Sequence, residues 1–493
     1  MLISIDKTDK TPYYLQIFAS IKKKILAGEM LDGFVLPSER EMAAAIGVHR
    51  NTVTKAYNEL KSEGFVASTQ GIGYRVQFRM EQNSDTDDGI NRSHPLKRKG
   101  VHWESYIKEE YLHLESDFDD LYSKSYDAGS ISFAGGISSP TVYMKKDIAT
   151  GIQQILTHSH GTSYFYTPYA GDLTLRKHLA AFLHTKGINA SPSGIQVFSE
   201  MNQALDFLVT LLLKPGETVI AEEPLSPDVF RTIKLAGGEI ITVPVDEDGM
   251  ICDNLAPLIE KHHPRFIYIN SSFQDPTGTC LSLPRRKQLL DLSYQYKVPI
   301  IEEDAASDLN YEGLQLPRIK ALDGGSNVIY IFSFALTFVP GVSIAFVAGP
   351  KRLIDSLSNL VSVRLISLDW LSQKLLAQSF ETNLYYQKLQ LFQEEYRKKR
   401  DRMCGWLDRM KTRGVTYRKP GGGVYIWCKI PSDIDMKLFF HNMEQAGVSF
   451  VPGNVFYLDK KRGGSFIRLN YSYPTAEQID RGMSMIHDYL LAH

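Results

Sequence analysis

The sequence has little cysteine and no excess of charge of either sign. Its 493 residues include four cysteines, scattered and without a CxxC pair, which argues against a disulfide framework and against a zinc site. Lys and Arg total 55 against 56 Asp and Glu, so the whole chain lacks the basic excess typical of nucleic-acid-binding proteins. Because scattered thiols suit a reducing compartment, we expect a cytoplasmic protein.

Long runs without charge are also scarce, and no secretory leader is expected at the N-terminus. One segment, residues 328–350, has the uncharged length of a membrane span. Pro340 and Gly341 interrupt its middle, and β-branched and aromatic residues are frequent along it. We therefore expect two buried strands joined at a Pro-Gly turn, and no association with a membrane.

Patterns that would indicate a metal or a hydrolytic site are missing as well. His158, His160, His262 and His263 are not spaced with acids or cysteines as metal ligands are, so they indicate surface positions. The sequence shows no recognisable Ser-His-Asp arrangement and no phosphate-binding loop motif. We expect no metal ion.

Residues 1–79 carry the pattern of a small helical domain. Apolar side chains recur at helical spacing over 14–25, and Ser38 with Glu41 three positions later predicts a capped helix start. Gly47 ends that helix. The next helix has a single apolar face, whose residues are Val53, Ala56, Tyr57 and Leu60.

A β-hairpin is predicted next, because strand-like runs at 65–69 and 74–76 flank a glycine-containing turn at 70–73. Two short helices joined at Gly47 and followed by a hairpin are the pattern of a winged helix-turn-helix. Residues 1–79 hold 11 Lys and Arg against 8 Asp and Glu, a net charge of +3 that is compatible with DNA binding. A small helical domain with a solvated charged face is the alternative that spacing alone leaves open.

The outward face of the second helix of this motif would enter the major groove, while its apolar face packs inward. Arginine suits guanine edges and phosphates, and threonine and asparagine suit phosphates or bases. Arg40, in the preceding helix, is a candidate for holding the DNA backbone. The outward positions of the second helix are Arg50, Asn51, Thr52, Lys55 and Asn58.

The same segments resemble the signature of GntR-type regulators. The resemblance implies that Arg40, Arg50, Thr52 and the wing glycines Gly71 and Gly73 touch double-stranded DNA. His49 departs from the pattern, since serine is commoner there. The similar runs are 36–40, 47–53, Ala56-Tyr57, Glu63-Gly64 and 71–73.

Residues 80–115 are expected to form a polar linker, because 81–100 is rich in charged and turn-forming residues. From about residue 131 onward, apolar strand-like runs alternate with helical patterns. This alternation predicts an α/β domain over 116–493, with a largely parallel sheet covered by helices. The clearest predicted strands are 218–221, 266–269, 299–301 and 328–331.

This α/β domain resembles the fold-type I, class I aminotransferases, and the whole chain resembles the MocR/GabR subfamily of GntR regulators. The resemblance implies a large subdomain mainly over 116–385, a small subdomain over 386–493, and a homodimer with sites at the subunit interface. The similar runs are Tyr166-x-x-x-Ala170-Gly171, Pro215-Gly216-Glu217, Asp275-Pro276-Thr277-Gly278, 301–304, 420–423 and Arg468-Leu469.

Such enzymes hold pyridoxal phosphate as an imine on a lysine. Their pattern reads Ser-Lys-Thr-Leu-x-Pro-Gly-Leu-Arg, where this sequence reads Ala-Leu-Thr-Phe-Val-Pro-Gly-Val-Ser over 335–343. Leu336 therefore stands at the lysine position, and Ser343 stands at the arginine that grips the phosphate. No Lys or Arg occurs between Lys320 and Lys351. We expect no aminotransferase activity and no covalently bound pyridoxal phosphate.

Other cofactor positions of the family are changed too. The glycine of the phosphate cup and the small residue after it align with Glu200 and Met201, and a carboxylate there would repel a phosphate dianion. The aromatic residue that stacks on the cofactor ring aligns with Ser226. The tyrosine and asparagine that bind the ring hydroxyl align with Ala305 and Asp275. We do not expect noncovalent binding of the cofactor either.

Some family positions are kept, and they suggest an effector. The resemblance implies that Asp304 pairs with the pyridine nitrogen, that Arg468 grips the substrate carboxylate, and that Tyr166 reaches the partner subunit's phosphate. With Asp275 these residues form the expected effector-binding set, and a small carboxylate or amino acid is the expected effector. Structural roles stay open for each: a strand-end acid, an arginine paired with an internal acid, and an interface tyrosine.

The sequence therefore predicts a DNA-binding transcriptional regulator with a winged helix-turn-helix and a catalytically inactive aminotransferase-like domain that dimerises. Two alternatives remain: a regulator that binds pyridoxal phosphate without an imine, and an active aminotransferase with a fused head.

Overall fold

In the computed structural model, the chain divides into two compact units. Residues 1–101 are named the head, and residues 102–493 are named the body. The division falls inside the predicted linker, 80–115. The structure describes residues 11–26, 30, 33–69, 73–77, 101, 103–108, 111, 129–136, 145–158, 166–313 and 316–493.

The head contains the two helices and the hairpin that the sequence predicts, preceded by a further helix. The hairpin strands pair antiparallel, from Val66 opposite Val76 to Thr69 opposite Gly73. Ile17, Ile21 and the predicted apolar face of the second helix of the helix-turn-helix pattern are buried together. The elements are α1 (Tyr13–Leu26), α2 (Glu39–Ile46), α3 (Arg50–Ser62), β1 (Val66–Thr69) and β2 (Gly73–Val76).

Side chains fix the ends of α2 and the start of α3. The Ser38 hydroxyl accepts from the Glu41 amide at 3.3 Å, and the Glu41 carboxylate accepts from the Ser38 amide at 2.9 Å, which confirms the predicted capping box. Gly47 ends α2 with a left-handed φ of 70°. His49 caps the N-terminus of α3, since its Nδ1 accepts from the Asn51 amide at 3.3 Å. The imidazole therefore acts as the side-chain acceptor that serine often provides at helix starts.

The body is built on an eight-stranded sheet with the order β4-β11-β10-β9-β8-β5-β6-β7. Register pairs show that β11 and β7 run antiparallel to their neighbours and that the other strands are parallel. All four strands named from the sequence are present. The strands are β4 (Ile195–Phe198), β5 (Thr218–Glu223), β6 (Glu239–Asp246), β7 (Gly249–Met250), β8 (Ile267–Asn270), β9 (Ile300–Asp304), β10 (Val328–Ser333) and β11 (Ala345–Ala348).

Helices cover both faces of this sheet, and apolar clusters lie between the layers. Because helices cover both faces, the strands β4, β8, β10 and β11 are buried along their whole length. The helices are α4 (Lys145–His158), α5 (Leu173–Thr185), α6 (Met201–Leu212), α7 (Pro227–Leu235), α8 (Leu255–His262), α9 (Leu283–Tyr296), α10 (Ile319–Leu322), α11 (Lys351–Arg364) and α12 (Trp370–Glu381).

The uncharged segment 328–350 forms the two strands β10 and β11, which pair antiparallel from Tyr330 opposite Ala348 to Ser333 opposite Ala345. A short turn of 3-10 helix at Pro340–Val342 joins them. The predicted strand pair is confirmed. Within the described residues, no helix has the length and apolar character needed to cross a membrane.

The C-terminal part of the body is a second, smaller layer. Its antiparallel sheet has the order β12-β13-β16-β15 and packs with three helices around a separate apolar cluster. The short strand β3 (Ile131–Ser132) pairs with β14, so a segment predicted for the large subdomain also joins this layer. The elements are α13 (Leu384–Met410), β12 (Thr416–Tyr417), β13 (Tyr425–Lys429), α14 (Met436–Gln445), β14 (Val448–Ser449), β15 (Val451–Pro452), β16 (Phe466–Asn470) and α15 (Ala476–Ala492).

The capping box gives a test of the head. Replacing Ser38 with Ala should destabilise α2 by about 1 kcal/mol, because the Glu41 amide loses its acceptor. Hydrogen exchange of the α2 amides in the full chain should then be roughly fivefold faster. Ser62→Ala, at the exposed end of α3, is the matched control and should leave α2 unchanged. Unchanged exchange in Ser38→Ala would show that the box contributes nothing.

Candidate functional site

The DNA-facing candidates of the head lie where the sequence places them. Arg50 and Asn51 form the first turn of α3, at the helix end whose dipole favours an anion. Arg40, Arg50, Asn51 and Lys55 are exposed, and Thr52 is half-buried. Arg40 and Arg50 therefore present charged side chains to solvent from two successive helices.

Arg50 has an internal partner that the sequence analysis did not foresee. Its Nε and Nη2 donate to one oxygen of Glu39, at 3.0 and 2.8 Å. The Arg50 side chain stays 54% exposed, whereas Glu39 is only 16% exposed. The ion pair therefore orients the guanidinium from α2 while leaving part of it open to a ligand.

The structure describes the surroundings of Lys55 and one of the two wing glycines. Lys55 Nζ lies 3.8 Å from the centre of the Tyr14 ring, a cation–π contact that holds it against α1. Gly73 has a φ of 97°, which glycine adopts readily and other residues rarely do. Gly71, the other predicted wing contact, lies outside the described residues.

In the body, Leu336, which the resemblance aligns with the cofactor lysine, is part of the core. Leu336 is buried in the same apolar cluster as Phe273, Ala306 and Leu309. Ser343, which the resemblance aligns with a phosphate-gripping arginine, has a buried hydroxyl with no hydrogen-bond partner in the described part of the chain. Apolar packing therefore occupies the place where the resemblance puts an amine.

Asp304, predicted to face a cofactor or effector, is completely buried and already bound. It accepts from the Ser307 amide at 2.9 Å, the Ser307 hydroxyl at 2.5 Å and the Tyr330 hydroxyl at 2.7 Å. Arg318 Nε lies 3.4 Å away. Burial alone would raise the pKa of Asp304, but Arg318 and these hydrogen bonds together lower it. The structural alternative thus fits Asp304, which stays ionised without a ligand.

The neighbouring acid, Glu303, was missed by the sequence analysis. Side chains alternate along a strand, so Glu303 points to the face of β9 opposite Asp304. It accepts hydrogen bonds from the Tyr268 hydroxyl and, at 3.3 Å, from the Asn270 amide group. Burial, with Asp304 and Asp228 nearby, raises the pKa of Glu303 to about 8. Strand alternation was the signal that would have found it.

A second buried acid lies beside Glu303. Glu222 accepts from the Asn270 backbone amide at 2.8 Å, and burial raises its pKa to about 8. Among the described residues, no group of three or more His, Cys, Asp or Glu side chains is placed to hold a metal ion. Glu222 and Glu303 therefore both accept hydrogen bonds from groups of the body itself.

Arg468, the predicted carboxylate grip, has an internal carboxylate beside it. Its Nη1 lies 2.7 and 2.9 Å from the two oxygens of Asp275, and its Nη2 donates to the Ala134 carbonyl at 2.9 Å. The Tyr425 and Phe456 rings lie 4.2 and 5.0 Å from the guanidinium carbon. Two members of the predicted effector set thus meet, and they bind each other.

The remaining predicted positions lie at helix ends and on the surface. Glu200 is exposed and directly precedes α6, whose first residue is Met201. Ser226 directly precedes α7. Neither side chain makes a capping hydrogen bond to its helix. Tyr166 is 74% exposed. A carboxylate therefore stands at the start of α6, where the resemblance puts a phosphate.

Comparison with known families matches both units. Residues 129–486 match the family of class I and II aminotransferases. Residues 13–76 match the gntR family of bacterial regulatory proteins. The first match covers most of the body and the second covers the helices and hairpin of the head.

Individual proteins resemble the whole chain or the body alone. YdfD of Bacillus subtilis (strain 168), an uncharacterized HTH-type transcriptional regulator, is 28% identical over 97% of this chain and 96% of its own length. MocR of Rhizobium meliloti, a probable rhizopine catabolism regulatory protein, is 22% identical over 100% of this chain and 96% of its own. The crystal structure of LysN, an alpha-aminoadipate aminotransferase of Thermus thermophilus, superposes with a TM-score of 0.73 and 26% identity, covering 80% of this chain and 100% of that chain.

Proposed function

The chain belongs to the class I and II aminotransferase family and carries a gntR-type head, and from that premise we propose that it regulates transcription without catalysing amino transfer. The head binds double-stranded DNA, with α3 in the major groove and the hairpin as the wing. One observation carries this proposal: Arg50 and Asn51 stand exposed at the N-terminus of a capped α3 that follows α2 across Gly47.

The body residues do not fit pyridoxal phosphate. Leu336 provides no amine for an imine, and its side chain packs in the core. The resemblance aligns Glu200 and Ser343 with phosphate-binding positions, where a carboxylate would repel the phosphate and a serine supplies no positive charge. Asp275 is held by Arg468 and so does not reach toward a ring hydroxyl. Each of these features supports a body that neither binds the cofactor nor reacts through it.

A dimer is the assembly that this body favours. Tyr166, Val363 and Ile366 are 74%, 84% and 76% exposed. Thr167 donates from its amide to Ser367 at 3.1 Å and from its hydroxyl to the Leu368 carbonyl at 2.8 Å, which places Tyr166 beside Ile366. An exposed apolar patch of this kind marks an interaction surface. A two-fold dimer would also present two heads to paired DNA half-sites.

DNA binding through Arg50 is testable with sites selected from random DNA by the full chain. If the guanidinium reads a base, Arg50→Ala should weaken binding to the selected site by about 1–3 kcal/mol and relax its sequence preference. If the guanidinium holds a phosphate, the substitution should weaken binding to all DNA sequences equally. Fluorescence anisotropy at two salt concentrations separates these outcomes. Lys22→Ala is the matched control, because Lys22 pairs with Glu63 at the other end of α3. Unaltered binding by Arg50→Ala would contradict the docking.

The absence of an imine is testable on the purified protein. Borohydride reduction followed by mass spectrometry should find no lysine carrying pyridoxal phosphate, because Leu336 replaces the amine. An aminotransferase that keeps its lysine serves as the positive control. A modified lysine anywhere in the body would refute the proposal. A cofactor absorbance that dialysis removes would instead identify a regulator that binds it noncovalently.

The dimer is testable by light scattering. The full chain should have close to twice its 55.7 kDa mass at micromolar concentration. Ile366→Asp should shift the protein toward monomer, because the change buries a charge in an apolar contact. Leu491→Asp, at another exposed apolar position, should remain dimeric. A strictly monomeric wild type would rule the dimer out.

A further inference from the structure

Arg468 is the centre of a contact between the two sheets of the body. It lies within β16 and is fully buried. Asp275 belongs to the connection that follows β8 of the large sheet. Their ion pair therefore ties the large sheet to the small one. Because a guanidinium with no access to water needs an anion beside it, this pair is a condition for the observed packing.

We propose that Asp275 is the built-in occupant of the Arg468 site, and that removing its carboxylate creates a binding site for a small free carboxylate. Both Asp275 oxygens lie within 3 Å of one Arg468 nitrogen, at 2.7 and 2.9 Å. The Tyr425 and Phe456 rings beside the guanidinium limit the space to a ligand of a few atoms. Formate and acetate have the charge and size of the group that Asp275 supplies.

A free carboxylate gains little from the wild-type site. To reach Arg468 it must displace Asp275, and the displaced carboxylate is then left without its partner in a largely enclosed place. The competitor is also intramolecular, so it is present at a high effective concentration. The inference rests on the geometry of the body alone and does not depend on DNA binding by the head.

A second ion pair provides a matched control. Glu223, at the end of β5, is 2% exposed and pairs with Arg462, and it also accepts from the Leu458 amide at 3.1 Å. It thus joins the same two layers through a buried acid. Arg462 is 48% exposed, so water can solvate it when its partner is removed. Removing Glu223 should destabilise the body without creating a carboxylate site.

The experiment is chemical rescue in the full-length protein. Asp275→Ala should unfold at a lower temperature than wild type in chloride, and formate or acetate at equal ionic strength should raise its midpoint. The carboxylate concentration that gives half the effect should be at least about tenfold lower than for wild type. Glu223→Ala should respond to carboxylate no more than wild type does. Asp275→Asn keeps the shape without the charge and should also be less stable than wild type.

Two outcomes would overturn the proposal. Equal stabilisation of wild type by formate or acetate would mean that Arg468 is already open to free ligands. No response in folded Asp275→Ala would mean that the loss of Asp275 leaves no carboxylate site. If this variant does not fold in chloride, it is refolded in acetate and in chloride: recovery in acetate alone supports the proposal, and failure in both contradicts it.

Discussion

Buried charge that the chain itself neutralises is the constraint on which the body depends. Arg468 is fully buried and meets Asp275. Arg286 is fully buried too, and it donates to the Leu281 carbonyl at 2.8 Å and to the Ser271 carbonyl at 2.5 Å, with Glu302 3.8 Å away. Removing one partner of such a group leaves an uncompensated charge, which is far costlier than losing an exposed ion pair. These pairs hold the connections at the strand ends in place.

The same constraint bears on the proposal that this aminotransferase fold is stable without a cofactor. In the aminotransferases that this body resembles, a phosphate, an imine-forming lysine and a substrate carboxylate would occupy three neighbouring places. Here Glu200 directly precedes α6, Leu336 packs in the core, and Asp275 pairs with Arg468. At the last two places, groups of the chain itself stand where the resemblance puts the lysine and the substrate carboxylate. On the proposed function, the fold keeps its packing while the chemistry that depends on those ligands is absent.

Sequence features that depend on interactions between neighbouring residues predicted the helices and strands well. The Ser38 capping box, the Gly47 stop and the strand pair within 328–350 all follow from neighbouring residues. Partners distant in sequence were not predictable. Nothing near Arg50 in the sequence singles out Glu39, eleven positions earlier, as its partner, and nothing near Arg468 points to Asp275, 193 positions earlier. To tell which of Asp304 and Glu303 points to which face of the sheet, one must know which residues of the strand face each side. The run of three acids at 302–304 hides that alternation in the sequence.

The Arg468–Asp275 pair also constrains how any effector could act on this body. A ligand shifts a conformational equilibrium only through unequal affinity for the two states. In the described state the guanidinium already holds a carboxylate and two sheets are joined through it. A carboxylate effector that used Arg468 would therefore have to favour a state in which that pair is broken. Such a ligand would loosen the contact between the sheets, which is the reverse of a ligand that closes an empty site.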